Sequence, residues 1–297
     1  MAGGQERILR RRIKSVQATR KITKAMELIA ASQIARSQAR IAANRPYRAG
    51  MQRIIREAAL ADLSVARKMM SAPEKVETAL VVVLAGDRGL SGPYNSSVLR
   101  AGERLIHMLR HQGTAVRLIT VGKKAPAYYR FRGIEVEQSF AGFVDRPEFS
   151  DARVIAAALA APFVAGEVQQ VMLVSTRFIS AGSQVVESEQ LLPLSMPEDM
   201  EVDTSTGLKG YTEFEPEVEE LLVELAPKAL ESEIFAALLE GAASFHTSQQ
   251  RAMAAATDNA DELGQTLTRI MNRARQDSIT TEIMEIVGGA EALRSGK

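Results

Sequence analysis

The sequence predicts an α/β protein whose two ends pair as an antiparallel two-helix coiled coil and whose middle is an inserted, Rossmann-like α/β domain. Proline placement, charge placement and the periodicity of the apolar residues carry this reading. All ten prolines fall between Pro46 and Pro227, so the first 45 and last 70 residues contain none. A proline in a helix interior costs about 3 kcal/mol, so both ends permit long helices. From residue 1 to 56 there are fourteen Lys or Arg against Glu6 and Glu27. From residue 187 to 240 there are fifteen Asp or Glu against Lys209 and Lys228. The net charge of +1 conceals this segregation, and regions of opposite sign are expected to attract each other or to face partners of opposite sign.

At the amino end Leu9, Ile13 and Val16 are followed by Ile22, Met26, Ile29 and Ile34, in steps mostly of three and four. At the carboxyl end come Leu263, Leu267, Ile270 and Ala274, then Ile279, Ile283, Ile286, Ala290 and Leu293. Each set reads as a narrow apolar stripe with charge on the other faces, the seam of a two-helix coil. If residues 228–290 are continuous, that helix is about 95 Å long. Between the ends, residues 78–85 (TALVVVLA) read as a buried strand, 95–111 as an amphipathic helix and 116–121 as a second strand. A short helix is expected at 125–131, another helix at 155–164, a third strand at 171–175 and an edge strand at 184–192. Strands alternating with helices imply a mostly parallel sheet covered by helices. Residues 193–210 read as a loop leading out of this domain. The domains are therefore expected at 1–72, 73–207 and 208–297. Bringing the two ends together makes their helices antiparallel, a rod on a globular head.

Composition excludes several chemistries. There is no cysteine, so disulfides, thiolate nucleophiles and Cys-based zinc sites are ruled out. The longest apolar run is far shorter than the roughly 20 residues of a membrane span, and no apolar signal region is present. Residues 1–45 are Arg-rich and acid-poor like a mitochondrial transit peptide, but the pattern runs too long for a removable leader. The basic arm suggests nucleic acid at first sight; without an aromatic stacking platform, a solvated helical face is the better reading.

The loop Gly86-Asp87-Arg88-Gly89-Leu90-Ser91-Gly92 follows a strand and precedes a helix, where α/β proteins often hold phosphate. It matches neither G-x-G-x-x-G nor G-x-x-x-x-G-K-[ST], so a tight turn is the better account. His107 and His111 have a spacing suited to two metal ligands, but no third ligand is suggested. Ser91 lies in no hydrolase elbow. The cluster Glu213, Glu215, Glu217, Glu219 and Glu220 suits the start of a helix. No catalytic constellation, cofactor site or metal site assembles from these residues.

The terminal helices carry a resemblance. Arg11-Arg12-Ile13-Lys14-Ser15-Val16, continuing through Ile22-Thr23-Lys24-Ala25-Met26, resembles the opening helix of the gamma subunit of F-type ATP synthase. The run from Ala274 through Thr280 and Glu285 to Ala290 looks like that family's carboxyl-terminal signature. Asp87-Arg88-Gly89-Leu90 with Gly92 and Asn95, and Ala256-Thr257-Asp258-Asn259-Ala260, match as well. The resemblance implies a central rotor stalk inserted into a ring of three alpha and three beta subunits (the alpha3beta3 hexamer of F1). The α/β domain would form a foot that rests, with the epsilon subunit, on the membrane c-ring. Proton-driven rotation would pass as torque to catalytic sites in the beta subunits, so this chain would carry none and bind neither cofactor nor nucleic acid. Membrane association would come only through the complex. A basic coiled-coil module for nucleic acid, or one with a chaperone-like role, is the alternative, and a nucleotide-binding enzyme using the Gly86 loop is a third class.

Carried over position by position, Arg275, Gln276 and Thr280 correspond to residues that contact a beta-subunit loop, with Lys24 and Met26 expected in the same rotor–stator zone. Ile283, Ile286, Val287 and Leu293 would form a tip turning in an apolar sleeve, where non-directional contact suits a bearing. Two departures stand out. Phe245 and Gln249 occupy places where the family usually has Glu and Arg, with Arg251 on another face. Ser91 stands where cysteine is frequent, which excludes thiol control of the plant-chloroplast kind. The chain begins so close to its first helix that no leader is expected, which favours a bacterial protein at the inner face of the plasma membrane.

Overall fold

The computed structural model describes residues 2–61, 75–194, 215 and 217–295, with side chains for 5–58, 75–194, 215 and 217–291. Along the chain come α1 (Ala2–Ala61), β1 (Thr78–Leu84), α2 (Tyr94–His111), β2 (Ala115–Val121), α3 (Lys124–Phe131), β3 (Gln138–Phe140), α4 (Phe149–Val164), β4 (Gln170–Phe178), β5 (Gln184–Leu192) and α5 (Val218–Ser295). The chain divides into two compact units, one of residues 31–249 and one of residues 1–30 with 250–297. Pro46 lies inside α1 and Pro227 inside α5, so neither ends its helix. Both prolines are solvent-exposed, where the carbonyl that loses its helical donor can turn to water.

The unit of residues 31–249 is built on a five-stranded sheet of order β3-β2-β1-β4-β5. All pairs are parallel except β4–β5, so β5, the edge strand expected from the sequence, is antiparallel to its neighbour. β1 is central and buried on both faces, which is why it reads as an unbroken apolar run. Successive residues alternate between two cores. Leu80, Val82 and Leu84 pack with Ile155 and Leu159 of α4 and Leu230, Ile234 and Leu238 of α5. Ala79, Val81 and Val83 face Val98, Leu105 and Ile106 of α2 and Tyr129 of α3. The close approach of α5 depends on Gly241, where a Cβ would lie 2.8 Å from Leu84.

One element was not foreseen, and another starts earlier than expected. β3 is only three residues long and pairs with Ile119–Val121 of β2. α4 begins six residues earlier than expected, at Phe149, because Glu148 and Asp151 form a reciprocal capping box at its start. The acidic cluster behaves as anticipated where it is described: Glu219 and Glu220 occupy the first turn of α5, where the helix dipole favours negative charge. Glu213 and residues 195–210 lie outside the described residues.

Within the same unit α1 and α5 run antiparallel. Arg48 bridges Glu233 at 2.5 Å and Glu240 at 3.7 Å, and Gln52 donates to Glu233 at 2.7 Å. Met51, Ile55 and Ala58 pack with Leu222 and Ala229. Here the basic amino-terminal segment meets the acidic one, as the charge segregation implied.

Candidate functional site

The unit of residues 1–30 and 250–297 is a pair of antiparallel helices. Thr23 and Thr257 hydroxyls lie 2.8 Å apart, Arg20 bridges Asp261 at 2.5 Å, and a Cβ on Gly264 would meet Val16 at 3.9 Å. The least exposed positions of α1 here include Leu9, Ile13, Val16, Thr23, Met26, Glu27 and Ala30. Those of α5 include Met253, Thr257, Ala260, Gly264, Leu267, Met271, Ala274 and Ser278, in strict alternating steps of four and three.

This corrects the stripe expected from the sequence. Ile22, Ile29, Leu263, Ile270 and Ile279 are exposed, between 46% and 61%. The expected stripe slipped at the six-residue step from Val16 to Ile22, whereas the true seam keeps its heptad and fills it with small or hydroxylic residues. Small side chains let the helices approach closely, and they leave the larger apolar groups on the outside.

The same register sets residue 278 beside the start of α1, and residues 279–291 are all exposed. Ile283 (56%), Ile286 (72%) and Val287 (59%) are exposed; the side chain of Leu293 lies outside the described residues. Arg275, Gln276 and Thr280 are exposed. They do not sit on the apolar stripe but flank its members Ala274 and Ser278, fanning around the outer surface of the helix. Lys24 is exposed and paired with Glu27 at 3.1 Å, while Met26 is half-buried. The structure thus places the five residues expected to make rotor–stator contact in one unit without drawing them into a single cluster.

The other candidate, the loop after β1, is closed on itself. The Asp87 carboxylate accepts the backbone N–H of Lys123 at 3.0 Å, of Gly142 at 3.0 and 3.1 Å, and of Val144 at 3.2 Å. Three N–H groups from two neighbouring loops are thus held by the chain's own carboxylate, whose negative charge opposes an anion at this place. Asn95 accepts from Gly86 N–H at 2.8 Å and donates to the Arg88 carbonyl at 2.9 Å. The left-handed residues of the turn are Leu90 (φ 61°) and Gly92 (φ 53°). Arg88 reaches on to Asp145 at 2.6 Å, and His246 of α5 meets the Asp145 carbonyl at 3.2 Å. Arg40 of α1 donates to the Pro147 carbonyl. Residues 141–148 are thereby strapped to β1, α1 and α5 together, an arrangement not read from the sequence because each contact spans a hundred residues or about half that.

Phe245 is buried edge-on against Tyr94, with ring centroids 5.6 Å apart, so this departure from the family pattern serves the core. His107 and His111 are exposed, and His107 approaches Glu103 at 3.9 Å. Among the described residues no group of three or more His, Cys, Asp or Glu is placed to hold a metal, and no helix is long and apolar enough to cross a membrane.

Relatives decide what this pairing of helices and sheet belongs to. A family model described as ATP synthase matches residues 5–293. An ATP synthase gamma chain from Parafrankia sp. (strain EAN1pec) is 47% identical over 297 residues, 99% of either chain. The chain belongs to the ATP synthase gamma-chain family. A further gamma chain, from Clavibacter sepedonicus, is 44% identical over 99% of this chain and all of its own. Among solved structures, a chain of the Tetrahymena thermophila mitochondrial ATP synthase central stalk and c-ring is 25% identical with a TM-score of 0.61, covering 79% of this chain and 99% of that one. A chain of the Euglena gracilis mitochondrial ATP synthase shares the fold at TM-score 0.69 and 18% identity, over 99% and 96% of the two chains. The nucleic-acid and chaperone-like alternative finds no support among these relatives of the gamma-chain family.

Proposed function

We propose that this chain is the central rotor shaft of the F-type ATP synthase, transmitting torque between a proton-driven c-ring and three catalytic sites in an alpha3beta3 hexamer. The observation that carries the reading is the exposed end of α5, in which every residue from 279 to 291 faces solvent. Ile279, Ile283, Ile286 and Val287 in that stretch are costly to leave in water, at roughly 25 cal/mol per Å² of apolar surface, so a sleeve supplied by other subunits is the natural cover. Arg275 and Gln276 sit just before this exposed end and Thr280 at its start, all exposed and able to meet polar loops of beta subunits. Lys24 and Met26 lie farther along the pair, nearer its far end, for a second zone of contact.

The chain carries no catalytic site in this reading. The Asp87 carboxylate, committed to three backbone N–H groups beside the loop after β1, would repel a phosphate there, which supports that assignment. The domains divide as 1–72 and 208–297 for the shaft and 73–207 for the foot, with the epsilon subunit and the c-ring as the foot's partners. The protein is peripheral, held through the complex at the cytoplasmic face of a bacterial inner membrane. The test is to combine the chain with purified alpha and beta subunits and follow assembly and ATP hydrolysis. Formation of a defined complex with altered hydrolysis is expected; absence of a complex with unchanged hydrolysis would sink the reading.

A further inference from the structure

His246 is the one buried histidine of the three in the chain, 7% exposed, while His107 and His111 face solvent on α2. It lies on the last turn of α5 that belongs to the sheet-bearing unit, which ends at residue 249. Its Nε2 meets the Asp145 carbonyl at 3.2 Å. A carbonyl oxygen only accepts, so Nε2 carries the proton and the neutral ring leaves Nδ1 bare. Nδ1 is buried with no hydrogen-bond partner among the described residues, and the same holds for Asp145 Oδ1. The other carboxylate oxygen, Oδ2, is taken by Arg88 at 2.6 Å. Arg40 of α1 donates to the Pro147 carbonyl, two residues farther along the strap of residues 141–148. The charged side chains on the elements around the ring are therefore Asp145, Arg88 and Arg40. Gln249 of α5, a neutral neighbour, approaches the ring without reaching bonding geometry.

A second proton on the ring enters at Nδ1, inside the protein, where no acceptor is placed for it. Asp145 Oδ1 is outside its bonding range, so imidazolium and carboxylate meet only if the ring or the strap moves. Arg88 already holds the same carboxylate as a competing cation. Burial is the largest influence against the charged ring, with the Asp145 carbonyl and carboxylate opposing it. We propose that residues 141–148 form a proton-released clasp on α5: protonation of His246 undoes the Asp145 contact and lets the strap part from the helix while the rest of the unit stays folded. The sign follows from linkage, because an arrangement that resists a proton loses ground, as pH falls, to one that accepts it. The N–H groups of Gly142 and Val144, bound to the Asp87 carboxylate, report whether the strap is seated.

The test is amide hydrogen exchange of the full chain at about pH 7.5 and about pH 5.5, corrected for the intrinsic pH dependence of exchange. Protection at Gly142 and Val144 is expected to fall by roughly fivefold at the lower pH, while Val81 and Val82 in the central strand keep theirs. In His246→Gln, whose amide can still donate to the Asp145 carbonyl, the two reporter amides are expected to be equally protected at both pH values. This variant also separates the ring from Glu189, a carboxyl on β5 that burial pushes up. Should His246→Gln fail to fold, an NMR titration of the unmodified chain decides, and the His246 ring and the Gly142 amide are expected to change with one midpoint. Protection indifferent to pH overturns the proposal, as does a loss that persists in His246→Gln. An equal loss in β1, which would mean opening of the whole unit, or two separate midpoints overturns it as well.

Discussion

Thr23 and Thr257, from opposite ends of the sequence, share a hydroxyl–hydroxyl hydrogen bond of 2.8 Å inside the seam of the paired helices. Each also lies within donating range of its own helix: Thr257 of the Met253 carbonyl at 2.8 Å and Thr23 of the Arg20 carbonyl at 3.1 Å. A hydroxyl has one proton, so one threonine donates across the seam and the other to its own backbone. Replacing either by Val leaves a buried hydroxyl short of a partner and is expected to cost about 1 kcal/mol. Replacing both is expected to cost less than the sum of the singles. A double-mutant cycle read by urea unfolding checks this, and additive costs would show that the pair is not coupled.

Asp87 spends its carboxylate on three backbone N–H groups from two separate loops. Asp87→Ala is expected to destabilise the sheet-bearing unit by about 2 kcal/mol, because bonds to a charged acceptor are stronger than neutral ones but this site is only half-buried. Asp87→Asn keeps the shape yet sets an amide donor against donors, so it is expected to recover little. Chemical denaturation of both variants distinguishes this clasp from a solvent-facing acid, for which neither change would register.

Two glycines are expected to respond oppositely to alanine. Gly122 has φ +98°, and a Cβ there would lie 2.2 Å from the Ala85 carbonyl oxygen, a backbone atom that cannot swing away. Gly122→Ala is expected to cost about 3 kcal/mol or more. Gly264 is helical, and its added Cβ would meet only Val16, at 3.9 Å. Gly264→Ala is expected to stabilise the paired helices by up to about 1 kcal/mol through helix propensity and seam contact. Thermal unfolding of the two variants gives the comparison, and a loss at Gly264 would mean that the seam has no room.

Burial pushes the His246 imidazole below its ordinary value of 6.5; its hydrogen bond to the Asp145 carbonyl and the nearby Asp145 carboxylate act the other way. Below pH 6.5 the unfolded chain takes up a proton that the folded one resists, so this histidine's contribution to stability is full above that pH and is lost as pH falls toward the folded value. Stability is expected to decline on acidification from pH 7.5 to pH 5.5 (about one pH unit to either side of the ordinary value). In His246→Gln that slope is expected to be shallower, whatever the variant's absolute stability. An unchanged slope in urea titrations at the two pH values would assign the decline to other groups.

Much of the fold was legible because its signals are local. The run from Thr78 to Leu84 announces a strand buried on both faces, and the spacing of Val98, Leu105 and Ile106 announces the helix beside it. The family could be read from motifs at four places along the chain. The seam was harder, since Thr23, Ala30, Thr257, Ala260 and Gly264 give no apolar signal while Ile22, Ile29, Leu263 and Ile270 give a strong one. Hydrophobicity in the sequence marks what a residue would prefer to be covered by, and here that cover does not come from the partner helix. β3 was illegible for another reason: Gln138 and Ser139 have no strand character and are placed by β2, with Asp87 gripping the Gly142 N–H just beyond.

In the proposed rotor, the small-residue seam would leave folding and assembly constrained by nearly separate sets of positions. A screen that selects variants for solubility or heat resistance would register changes at Ala30, Thr257 or Ala260 and pass over changes at Ile22, Ile29 or Leu263. A screen for growth on respiration would be expected to do the reverse at the second set. Comparing the two tolerance maps along these helices would separate the positions that make the chain from those that make it useful.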